Sequence, residues 1–202
     1  MKKVSSFFFA AALMVAATVQ ASNGPQATTQ TVDTDKSSLE WVGKKVTGQH
    51  NGTIDLKSGS LQVNGNKVTG GSFVIDMSSI VVKDIQDAEM NGKLTGHLNS
   101  EDFFSVEKHP TATFVITNVK ALKGNQAEIT GDLTIKGITH AVTFPATVSV
   151  SKQGTKATAE FDIDRTKWDI RYGSGSFFEG LGDKVIYDDF TIRLNLVTNP
   201  EA

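Results

Sequence analysis

Residues 127–136 read Ala127-Glu128-Ile129-Thr130-Gly131-Asp132-Leu133-Thr134-Ile135-Lys136. Every second residue is apolar or small, and every residue between is polar or charged. Successive side chains of a β-strand point to opposite faces, so this segment has one dry face and one wet face. Outward from it the pattern recurs. Val142, Phe144, Ala146, Val148 and Val150 share one parity, as do Ala157, Ala159, Phe161 and Ile163, and then Phe190, Ile192, Leu194 and Leu196. A chain of one-sided strands must bring its dry faces together, which leads to a sandwich or a closed barrel.

Towards the amino terminus, strands are predicted over residues 38–45, 50–57, 60–63 and 67–77. Their inward candidates are Leu39 and Trp41, Ile54 and Leu56, Leu61 and Val63, then Phe73, Ile75 and Met77. Asn64-Gly65-Asn66, Lys123-Gly124-Asn125 and Gln153-Gly154 are hairpin turn signals, because Gly and Asn tolerate positive φ. Turns this short make neighbouring strands antiparallel. Two stretches break the alternation. In residues 80–105, Ile85, Ala88, Met90, Leu94 and Leu98 fall on a helical stripe, which predicts one or two short helices interrupted at Asn91-Gly92 and Gly96. Residues 165–184 form a long loop rich in Gly and aromatics, and loops of this length in compact domains usually carry function.

The first 21 residues read as a signal peptide. Lys2 and Lys3 precede an apolar run from Phe7 to Val19, too short to span a bilayer, and Val19-Gln20-Ala21 supplies the small residues of a cleavage site. Residues 22–30 are expected to be a mobile leader, and residues 31–202 a single domain. The chain has 20 Lys+Arg against 22 Asp+Glu, a balance that argues against a nucleic-acid-binding surface. It has no cysteine, which excludes thiol catalysis and cysteine-ligated zinc.

Four blocks carry a family resemblance. They are Leu39-Glu40-Trp41-Val42-Gly43-Lys44-Lys45 with His50-Asn51-Gly52, the run from His97 through Phe103-Phe104 and His109-Pro110 to Phe114, Gly131 to Thr139, and Phe161 to Trp168 continuing to Tyr172-Gly173 and Asp188-Asp189-Phe190. In this order they resemble the YceI-like polyisoprenoid-binding family over essentially the whole chain after residue 21. The resemblance implies an all-β, eight-stranded antiparallel, lipocalin-like barrel. It implies a periplasmic or secreted location and a long-chain isoprenoid or fatty-acid-type ligand held inside, whether for transport, storage or protection under stress. It implies neither a catalytic residue nor a cofactor.

The expected barrel lining is Trp41, Phe73, Ile75, Met77, Leu94 and Leu98 in the first half of the chain. In the second half it is Phe114, Ile116, Leu133, Ile135, Phe144, Phe161, Trp168, Phe190 and Ile192. These side chains either fill a solid core or line a hollow one. Ala112, Ala146 and Ala159 are small residues of inward parity that would leave room. His97, Arg165 and Arg171 are the candidate contacts for a polar head group. The four histidines show no metal-ligand spacing, so no metal is expected. Ser174 lies in Gly173-Ser174-Gly175-Ser176, which lacks the final glycine and the strand-to-helix setting of a nucleophile elbow. Two other readings stay open: a solid-core interaction module that docks a membrane-protein partner through the aromatic loop, and an enzyme acting on an isoprenoid or quinone precursor; transient membrane contact is open too. The sequence leaves the oligomeric state undecided, a homodimer included.

Overall fold

The computed structural model describes residues 27–199. The expected signal segment lies outside them, as do residues 22–26 of the expected leader. Nine strands follow in order: β1 (Ala27–Thr31), β2 (Ser38–Lys45), β3 (Gly48–Asn64), β4 (Lys67–Val82), β5 (Thr111–Ala121), β6 (Gln126–Ile135), β7 (Ile138–Ser151), β8 (Gly154–Asp164) and β9 (Ile186–Val197). One helix, α1 (Ala88–Asn99), lies between β4 and β5, and a 3-10 turn (Arg165–Trp168) follows β8.

The strands pair in the order β1-β3-β2-β9-β8-β7-β6-β5-β4, and β3 also pairs with β4. That last pairing closes β2 to β9 into an eight-stranded antiparallel barrel, which settles the choice the alternation left between sandwich and barrel and is the architecture the family resemblance implies. β1 is a ninth, short strand. β3 pairs with β2 from Gly48 to Ile54 and with β1 from Ser60 to Asn64, so β1 and β2 share one edge of β3. Dry faces meet inside, as Ala127, Ile129, Leu133 and Ile135 of β6 are all buried.

Three local expectations need correction. Ala27–Gln30 are not leader but part of β1. Gln30 is 5% exposed, and its Oε1 accepts hydrogen bonds from Thr155 Oγ1 (2.7 Å) and Thr198 Oγ1 (2.6 Å). Residues 50–57 and 60–63 form one strand, β3, because a register shift between Leu56 and Ser58 takes up one residue and changes the inward parity from Ile54 and Leu56 to Leu61 and Val63. α1 is a single helix that runs through Gly92 and Gly96. Asp87 caps it by accepting from Met90 N at 2.9 Å, and Asn91 Nδ2 donates to the carbonyls of Val82 and Ile85, each at 2.9 Å. These ties to the end of β4 offset the cost of two helical glycines.

The barrel has two different ends. The upper end carries the β2–β3 turn, α1 and the connection from Arg165 to β9. The lower end carries β1 and the turns after β3, β5 and β7. Phe103, Val106, Trp168 and Ile170 pack under the upper end, and Val32, Leu61, Val63 and Leu196 under the lower.

An apolar cavity along the barrel axis

The barrel is hollow. It holds a cavity of about 240 Å³, somewhat below the roughly 300–1,000 Å³ typical of small-molecule sites. Trp41, Phe73, Ile75, Met77 and Leu98 lie on its wall, with Phe114, Ile116, Leu133, Ile135, Phe144, Phe161, Phe190 and Ile192. Ala112 and Ala146, two of the small inward residues, are there too.

Two expected lining residues are placed elsewhere. Leu94 is half-buried on α1 and does not reach the wall, because α1 packs across the barrel end against β4 and buries none of its residues fully. Ala88 and Met90 of the same stripe face solvent. Trp168 is fully buried but sits behind the wall, its Nε1 donating to Leu133 O at 3.1 Å and its ring edge-on to His140. Conversely, Phe103, Phe104, Ile170, Ile186 and Tyr187 join the wall at the upper end. They lie outside the alternating strands or at their margin, so no parity pointed to them; Phe103-Phe104 did fall within a recognised block.

Trp41 shows how the wall is built. Its cross-strand partner is Gly52, and any side chain at Gly52 would overlap both the indole and the carbonyl oxygen of Val81. Glycine at that position lets the ring lie against β3. The indole Nε1 is buried with no hydrogen-bond partner.

Of the three head-group candidates, only Arg165 reaches the cavity. It is 4% exposed. Its Nη1 donates to Ile170 O (2.7 Å), Nη2 to Ile186 O (3.0 Å) and Nε to Tyr187 O (3.2 Å). Asp188 Oδ1 is 3.5 Å from Nη2, close enough for an ion pair but not aligned as a hydrogen bond. Burial pulls the guanidinium pKa below its ordinary value, with Asp188 and then Asp164 opposing. Arg165 thus stitches the loop after the 3-10 turn to the start of β9. His97 and Arg171 lie outside the wall. His97 is held edge-on between Phe103 (4.9 Å) and Tyr172 (4.4 Å), with Nε2 3.2 Å from Asp102 Oδ2. Arg171 pairs with Asp169 at 2.7 Å and lies over Phe177 at 4.6 Å. His97 thus fastens α1 to the 165–185 connection, and Arg171 ties that connection to itself. Ser174 is fully buried and accepts from Ser176 N at 3.2 Å.

A YceI-like domain model matches residues 30–198. The fold is similar to the crystal structure of BcnA from Burkholderia cenocepacia, at 28% identity over 82% of this chain and 98% of that one, with a TM-score of 0.63. It is also similar to a polyisoprenoid binding domain from Saccharophagus degradans, at 14% identity over 85% and 98%, with a TM-score of 0.62; at that identity the likeness shows fold alone. A UPF0312 protein from Pseudomonas putida is 51% identical over 51 residues, and one from Pseudomonas aeruginosa 56% over 50. Those matches span only 27% and 26% of the curated relatives' length. With the barrel, the hollow apolar interior and a match across residues 30–198, the chain belongs to the YceI-like family.

Proposed function

We propose that this protein is an exported carrier that buries the apolar chain of an isoprenoid-type or fatty-acid-type amphiphile inside its barrel. The observation that carries the reading is the cavity, whose wall is apolar apart from Arg165, the Tyr187 hydroxyl and the Trp41 indole N–H. Each buried methylene contributes about 0.8 kcal/mol, so a chain of several isoprene units has a large gross drive to leave water. Ordering the chain offsets much of it, and affinity does not follow from length alone. The unpaired Trp41 N–H offers one donor beside an otherwise apolar space, suited to a single ligand oxygen. A binder is favoured over an enzyme because the ionisable groups on the wall are Arg165, whose donors are already engaged, and Tyr187. The polyisoprenoid binding domain of similar fold supports the ligand class. Export to the periplasm or beyond rests on the basic and apolar segments before Ala21. A carrier also meets membranes, and the exposed Tyr172, Phe177, Phe178 and Tyr187 give the upper end an aromatic surface suited to such contact.

The test is native mass spectrometry and solvent extraction of protein purified without detergent. A co-purifying lipid of defined mass is expected. An empty protein that also fails to bind added C20 prenyl alcohol or palmitate would overturn the carrier reading. Amino-terminal sequencing of the exported protein is expected to begin at Ser22.

A further inference from the structure

The barrel wall opens between β7 and β8. Their ladder runs from Ser151↔Gly154 to Thr147↔Thr158 and stops there. Both strands nevertheless continue, β7 pairing with β6 as far as Ile138 and β8 with β9 as far as Asp164. Continued at the same register, Ala146 would face Ala159, Pro145 would face Glu160, and Phe144 would face Phe161. Proline has no N–H to give to a ladder, so Pro145 stands where pairing is lost. In place of ladder hydrogen bonds, the Phe144 and Phe161 rings stack at 3.9 Å and 4°. Higher up, Trp168 is wedged beside His140 of β7.

A shallow cleft, open to solvent, lies at this split, lined by Gln126, Pro145, Thr147, Thr158, Glu160 and Arg193 together with Ala146 and Ala159. The last two have inward parity, yet they line a cleft that opens to solvent. Ala146 lines the inner cavity as well. At this point the wall is therefore one small side chain thick, flanked by a ring pair that holds no backbone ladder together.

From these observations we infer that the seam between β7 and β8 is a lateral portal, through which the apolar chain passes sideways while its polar head stays in the outer cleft. The inference rests on the carrier reading and refines it. Chain and head part company at Ala146 and Ala159, with apolar lining within and hydroxyl, amide and a Glu160–Arg193 ion pair (3.1 Å) without. The cleft's own charges are paired, so it suits an uncharged, hydrogen-bonding head such as an alcohol or a quinol. Sliding the Phe144 and Phe161 rings apart opens the passage without breaking a β-ladder.

The protein has no cysteine, so a staple is placed cleanly. Ala146→Cys with Ala159→Cys bridges the seam, by oxidation or by a short bismaleimide. Thr130→Cys with Thr143→Cys is the control, an outward pair on the intact β6–β7 ladder whose hydroxyls are 2.9 Å apart. The readout is the uptake rate of all-trans-retinol, an isoprenoid alcohol whose fluorescence rises on leaving water, with C20 prenyl alcohol as competitor. Bridging the seam is expected to slow uptake at least tenfold, reversibly for the disulfide, while bridging the control pair leaves it unchanged. Equal uptake with the seam bridged and unbridged overturns the portal and leaves the carrier reading standing. So does failure of both reagents to bridge the pair, since a shared solvent cleft demands that they react. If the unbridged protein takes up neither lipid, the carrier reading falls and the portal with it.

Discussion

At the lower end of the barrel the plug is neutral. Gln30 Oε1 accepts from the hydroxyls of Thr155 and Thr198, and Thr198 Oγ1 in turn accepts from Thr155 N at 2.8 Å. At the upper end the plug is a buried cation, Arg165, which holds three backbone carbonyls and leans on Asp188. A neutral knot of short side chains carries little desolvation cost once its hydrogen bonds are made. A buried guanidinium carries several kcal/mol of desolvation, and it is stable only while every partner stays in place. The lower end is therefore a fixed base, whereas the upper end is a fastening whose parts depend on one another. That asymmetry makes the upper end the more readily loosened of the two.

Changes at the upper plug should have the largest effect. Arg165→Ala leaves three carbonyls and Asp188 without their cation, and is expected to cost about 3–5 kcal/mol, read from urea unfolding midpoints. Gln30→Leu at the base leaves two threonine hydroxyls short of an acceptor, with an expected cost of about 1–3 kcal/mol in the same assay. A larger loss for Gln30→Leu than for Arg165→Ala would reverse the assignment of base and fastening.

Acid should sharpen the contrast with the smallest effect. Asp84, at the upper end, accepts from Asn51 N at 2.9 Å and lies 2.8 Å from His50 Nδ1. Burial pushes its carboxyl up, but the Asn51 N–H and His50 together outweigh this and hold it below the usual carboxylate range. A depressed pKa contributes stability that is present above the unfolded value near pH 3.9 and is lost as pH falls through the folded value. The lower knot contains no titratable group. Amide exchange near Asn51 and Lys83 should therefore quicken as pH drops below about 4, beyond the intrinsic change in exchange rate, while exchange near Thr155 should show no such excess. Asp84→Asn should remove the difference.

The parts of the molecule that were legible in the sequence are those with one wet and one dry face. β6 shows both faces in ten residues, and its inward set is the observed one. The parity count weakened where the backbone stops counting by twos. The shift near Ser58 moves the inward set by one residue and leaves only two short alternating runs in the sequence. β1 was hidden for another reason, since Ala-Thr-Thr-Gln-Thr has no apolar alternation and its buried residue is an amide. The upper end was the least legible part of the site. Trp168 and Arg165 are held by carbonyls from distant strands, and nothing local in the sequence announces those partners. The seam was half visible, because Pro145 and the two inward alanines stand out in any reading of β7 and β8, but only the ladder's end shows that they meet.

The knot at the base also fixes when folding can finish. The hydrogen bond from Thr198 to Gln30 spans 168 residues, and Val32 forms a bridge with Thr198 beside it. The first strand is thus clasped by the residue that follows the last one. Contacts at such separation carry a high loop-closure cost and form late, which slows folding. Until Thr198 arrives, β1 has its β3 ladder but Gln30 lacks one of its two donors, so nascent chains and truncated ones share an unsealed base. The barrel behaves as a clasped belt, in which the buckle is the last part to close and the whole circumference waits for it.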